Sequence, residues 1–147
     1  MSRYNRVNID GKSVFKTETR LAAAALLPGT FAVINADDEF ENTAETVGRM
    51  YVIDCAYHQG LGITDSVPAG DSAVGNYVEE GREIVIRCVA GAYKKDSPIK
   101  LAAGGKGTLA TSDTDSVVGY SQDEVTLTAD DFIRVRFRVG TVAAGTP

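Results

Sequence analysis

The chain has 147 residues, 44% hydrophobic and 24% charged, with a net charge of −5, which fits one soluble globular domain with a real core. With one histidine and no tryptophan, a multi-histidine metal centre is excluded. Charge is unevenly placed: residues 1–20 carry Arg3, Arg6, Lys12, Lys16 and Arg20 against Asp10 and Glu18, a net +3, which leaves −8 on the remainder.

In chain order, residues 1–20 hold few large apolar groups and read as an extended basic arm with a turn at Asp10-Gly11. Thr19 is placed to cap a short helix through Leu27, because the alanine-rich run from Arg20 is the one helix-prone stretch and Pro28-Gly29 would end it. The apolar run 21–27 is too short to span a bilayer and poorly flanked for signal cleavage. From Pro28 onward the pattern is strand and turn. Strands are expected at 30–35, 50–57, 72–78, 82–90, 99–102, 108–111, 116–120 and 125–128, with an acidic loop at 36–49, a Gly/Pro loop at 58–70 and a turn at Glu80-Gly81.

The last strand, 132–139, alternates strictly. Ile133, Val135, Phe137 and Val139 fall on one face, and Arg134, Arg136 and Arg138 on the other. Eight or so short strands punctuated by glycine predict an all-β fold, a small β-barrel or β-sandwich. It carries an extended arm over 1–20, a single β-rich domain over 21–147 and at most one short helix.

Two strands echo each other, Val52-Ile53-Asp54-Cys55 and Val85-Ile86-Arg87-Cys88. Each isoleucine shares a face with its cysteine, so both pairs are expected to point into one core, and an Asp54–Arg87 pair would form if the strands were neighbours. Chance similarity of two core strands is the plainer reading. The cysteines sit in apolar runs and read as buried free thiols, with one strand-to-strand disulfide as the alternative.

No catalytic residue, cofactor site or metal site is expected. Gly70-Asp71-Ser72-Ala73 lacks the glycine a nucleophile elbow needs at 74, where Val74 stands. Gly104-Gly105-Lys106-Gly107-Thr108 has Gly107 where a phosphate loop needs Ser or Thr, and reads as a hairpin turn. The acidic groups Asp37–Glu41, Asp113/Asp115 and Asp130/Asp131 lack calcium-loop spacing and read as solvated loops, with calcium bridging between subunits as the minority view. The arginine stripe has two readings: a solvent-facing strand paired with nearby acids such as Asp130 and Asp131, or an interface strip for carboxylates on a partner. The acidic body argues against nucleic acid, and no membrane partner is expected.

The runs Leu27-Pro28-Gly29-Thr30-Phe31-Ala32-Val33, Pro68-Ala69-Gly70-Asp71-Ser72-Ala73-Val74 and Gly104-Gly105-Lys106-Gly107-Thr108-Leu109-Ala110 resemble the small head proteins of tailed bacteriophages that decorate or cement the capsid. The resemblance implies a non-enzymatic protein, made in the host cytoplasm, that binds the outer capsid surface and clamps neighbouring major capsid protein subunits. It also implies a homo-oligomer, dimer or trimer. On that reading the partner interface comprises Arg3, Tyr4, Arg6, Lys12, Phe15 and Lys16 of the arm and Arg134, Arg136 and Arg138 of the stripe. The alternative is a carbohydrate- or receptor-binding module of a virion or cell-surface appendage, which would need Tyr57, Tyr77, Tyr93 or Tyr120 exposed in a cluster.

Overall fold

A computed structural model describes residues 2–9, 17–45 and 49–140. The fold is all-β, built from a five-stranded closed barrel, a five-stranded antiparallel sheet and a two-stranded ribbon. The Asp10-Gly11 turn, Lys12, Phe15, Lys16 and the residues after Gly140 lie outside the described residues, as does the side chain of Val139.

The sheet runs β1 (Thr17–Leu21), β5 (Ser72–Tyr77), β4 (Tyr51–Ile53), β2 (Phe31–Ile34), β3 (Phe40–Asn42). Period-2 alternation divides β2 between two cores: Phe31 and Val33 pack in one cluster, Ala32 and Ile34 in the other. All three residues of β4 are buried because both of its faces are covered. Beyond β1, Ala22 bridges Phe40 of β3, and Ala23 N–H donates to the Phe40 carbonyl at 2.9 Å, so the two edge strands meet.

The helix expected over 19–27 is not formed. Its first residues are β1, paired with β5 from Thr17–Asn76 to Leu21–Ser72, and Leu26 then exchanges backbone hydrogen bonds with Val67. A helix this short would gain few internal hydrogen bonds for its nucleation cost. The extended path instead buries Ala22 and Leu26, each 1% exposed, in the second core. The acidic loop expected over 36–49 likewise contains β3, whose Phe40 is fully buried and packs edge-on against Tyr51.

The barrel order is β10 (Val117–Ser121), β12 (Asp131–Gly140), β6 (Glu83–Cys88), β9 (Gly107–Leu109), β8 (Pro98–Leu101). Strand β12 pairs antiparallel with β6 in the register Phe132–Arg87, Val135–Ile84, Arg136–Glu83. Ile133, Val135 and Phe137 fill the interior at 0–1% exposure, as their alternation requires. The Gly104–Gly105 segment is a hairpin turn between β8 and β9. The ribbon β7 (Gly91–Tyr93) and β11 (Val125–Leu127) flanks the barrel; β7 has no counterpart among the expected strands.

Strands β4 and β6, the echoing pair, belong to different sheets, so Asp54 and Arg87 do not pair. Asp54 instead accepts from Cys55 N–H and Asn76 Nδ2, and burial pushes its carboxyl up from the ordinary range. Ile86, Cys88 and Cys55 share the main core, but Ile53 lies in the second one, because β4 ends there and the chain turns. Both cysteines are buried free thiols.

Candidate interaction surface

The alternation that sends Ile133, Val135 and Phe137 inward places Arg134, Arg136 and Arg138 on the outer face of the barrel. Opposite Arg136 in register stands Glu83 of β6. Arg136 Nη2 donates to Glu83 Oε2 at 2.6 Å, and Arg134 Nε lies 3.5 Å from Glu83 Oε1. The carboxylates expected to neutralise the stripe, Asp130 and Asp131, are engaged elsewhere. Asp130 takes Lys106 at 2.6 Å, while Asp131 Oδ1 accepts the backbone N–H groups of Phe132 and Arg3. Cross-strand register, and not nearness in sequence, selects the partner. Arg138 is exposed and has no ion-pair partner among the described residues.

Residues 2–9 lie along the body. Val7 is fully buried in the main core, its carbonyl accepts Val85 N–H at 3.0 Å, and Asn8 bridges Ile84. Asn8 Nδ2 donates to the buried Asn76 Oδ1 at 2.9 Å. Tyr4 hydroxyl donates to Asp123 Oδ2 at 2.7 Å. The same oxygen accepts Arg134 N–H at 3.0 Å and lies 3.7 Å from Arg3 Nη2. Burial, and next the hydrogen bond to Asp123, push the Tyr4 phenol up to about 12. Arg6 is exposed.

Asp123 therefore ties Arg3 and Tyr4 of the N-terminal stretch to the backbone N–H of Arg134, the first residue of the stripe. Neither Asp123 nor Glu83 stood out in the sequence, because their roles depend on strand register. Lys12, Phe15 and Lys16 lie outside the described residues.

The remaining motifs are parts of the scaffold. Ser72 opens β5 opposite Leu21, and His58 sits in a short 3-10 turn, Tyr57–Gln59. Asp115 accepts the N–H groups of Thr111 and Ser112 and pairs with Lys100; these donors, Ser112 first, hold its carboxyl below the ordinary range. The four tyrosines of the alternative reading occupy different elements. Tyr93 is buried, Tyr77 and Tyr120 are half-buried, and Tyr57 is 51% exposed.

No curated protein matches the chain. The fold is shared with the head fiber gp8.5 N base of bacteriophage phi29, whose crystal structure aligns at a TM-score of 0.59 over 86% of this chain and 97% of that one, with 13% identity. The model of the XM1 gp53 minor capsid protein family matches residues 1–139, nearly the whole length, and the protein belongs to that family.

Proposed function

We propose that this protein is a non-enzymatic component of the outer surface of a phage head, where it cements neighbouring major capsid subunits as a dimer or trimer. Two findings support a structural role in the virion: membership of a minor capsid protein family and a fold shared with a head fiber base. The observation that carries the reading to a surface is the row of Arg134, Arg136 and Arg138 on the outer face of the barrel, with Arg3 and Tyr4 meeting the same strand through Asp123. Arginine is favoured at interfaces because its planar fork engages carboxylates through two parallel hydrogen bonds. Contacts that are weak one by one become strong when each subunit bridges several others across a shell.

The test is addition of purified protein to heads that lack it. Wild type is expected to saturate the heads and raise the temperature at which they open, while the double variant Arg136→Glu, Arg138→Glu remains folded and unbound. Equal saturation by both proteins would reject the surface. Deleting residues 1–20 is a poor substitute, since it also strips Val7 from the core and β1 from its sheet.

A further inference from the structure

The stripe holds more guanidinium than carboxylate. Among the described residues one carboxylate, Glu83, serves both Arg134 and Arg136, and none serves Arg138. The shortage is visible at Arg134 Nε, which is shielded from solvent, stands 3.5 Å from Glu83 Oε1 and makes no hydrogen bond. The rest of the side chain is open, 44% exposed for Arg134 and 47% for Arg136, so an added carboxylate can reach their terminal nitrogens. The three arginines repeat every second residue, about 7 Å apart along the strand.

We infer that the stripe receives a row of carboxylates from an extended acidic segment of a partner protein, and that Glu83 is a resident competitor for the same guanidinium groups. An extended chain repeats its same-side groups at that same spacing, so alternate acidic residues would match Arg134, Arg136 and Arg138 in turn. A short acidic segment is favoured over duplex DNA because it brings only the few charges that three arginines can meet, whereas a duplex carries about one charge per 1.7 Å towards a chain of net charge −5. The inference rests on the stripe being a contact surface, as proposed above. It adds the extended form of the partner segment and a counterintuitive consequence: removing Glu83 should strengthen binding.

The experiment uses the full chain and poly-L-glutamate at low salt, followed by sedimentation or fluorescence anisotropy, with circular dichroism to confirm folding. Glu83→Gln is expected to bind about five-fold tighter than wild type and Arg138→Gln about five-fold weaker, with both differences shrinking as salt is added. Should Glu83→Gln fail to fold, Glu83→Asp, which withdraws the carboxylate by one methylene, is expected to tighten binding in the same direction. A folded Glu83 variant that binds no tighter than wild type overturns the inference, as does a wild-type preference for duplex DNA over poly-L-glutamate at equal charge. Heads separate this inference from the broader reading. If poly-L-glutamate binding rises in Glu83→Gln while no protein binds heads, the capsid reading falls and the stripe assignment stands.

Discussion

The guanidinium of Arg87 lies 4.6 Å above the ring of Phe132, its directly opposite partner across β6 and β12. From there Arg87 Nε donates to the Pro28 carbonyl at 3.2 Å and Nη2 to the Ile63 carbonyl at 3.1 Å. The Arg87 backbone N–H donates to the Gly29 carbonyl, and Gly29 N–H donates to Ile53 of β4. One turn, Pro28-Gly29, is thus held between the barrel and the five-stranded sheet. Gly29 is required there: its φ is +83°, and a Cβ would come within 2.9 Å of Arg87 N and 3.0 Å of Phe132.

Arg87→Lys is expected to destabilise the protein by about 2 kcal/mol, since an ammonium cannot lie flat on the ring while donating to two divergent carbonyls. A urea unfolding curve measures this. A midpoint equal to wild type would mean that the clasp contributes nothing.

Gly104 and Gly105 make a matched pair, because both adopt φ +74° in the β8–β9 turn. A Cβ on Gly104 meets nothing within 4 Å, whereas one on Gly105 would press on the Phe31 carbonyl oxygen and lie 3.0 Å from Asn42 Nδ2. Gly104→Ala should cost only the left-handed backbone penalty, about 1–2 kcal/mol. Gly105→Ala adds an overpacking cost of about 1–3 kcal/mol, because the nearest obstructing atom, the Phe31 carbonyl oxygen, is backbone and cannot rotate away. Thermal unfolding of the two variants should therefore differ by several degrees, and equal melting temperatures would contradict the packing of this turn against β2.

How much of this was legible in the sequence depended on whether one periodicity ruled a segment. Ile133, Val135 and Phe137 alternate with arginines without interruption, and β12 was readable to its faces; β6 was readable as a strand from its apolar run Ile84-Val85-Ile86, all three buried, but not to its faces. The stretch around Ala22–Ala25 satisfies helix propensity equally well, and only the distant partners Asn76 to Ser72, Phe40 and Val67 decide for the extended path. Phe40, flanked by Glu39 and Glu41, reads as part of a charged loop until Tyr51 is placed against it. The arginines of the surface were visible, but Glu83 and Asp123 were not, because which acid faces which arginine is settled by register across 53 and 11 residues.

Tyr4→Phe removes a 2.7 Å hydrogen bond to a carboxylate that also receives Arg134 N–H. The expected loss at neutral pH is about 1 kcal/mol. In wild type the phenol is raised from 10.0 to about 12 on folding, so the folded state holds its proton more tightly than the unfolded one. That contribution is fully present below pH 10 and is lost as pH rises from 10 towards 12. Tyr57 and Tyr93 are raised as well, chiefly by burial, so Tyr4→Phe should lessen the alkaline decline in stability without abolishing it. Denaturant midpoints at pH 7, 10 and 11.5 provide the check; parallel declines in the two proteins would show that Tyr4 is not coupled to folding.

Removal of residues 1–9 is a test of stability before it is a test of binding. Val7 has no exposed surface, and burial of a valine side chain contributes about 1.5–3 kcal/mol. The deletion also takes away Asn8, whose amide donates to Asn76 inside the protein, and the carbonyl that accepts Val85 N–H on β6. The truncated chain is therefore expected to unfold at least about 3 kcal/mol more easily than wild type, whereas Arg3→Gln, which gives up a partly covered ion pair 3.7 Å long and a guanidinium placed 5.7 Å from the Tyr4 ring centre, should cost only about 1 kcal/mol. If the truncated protein melts like wild type, residues 2–9 are an appendage of the body and not part of it, and a binding defect in that protein could be assigned to the contacts those residues make with a partner.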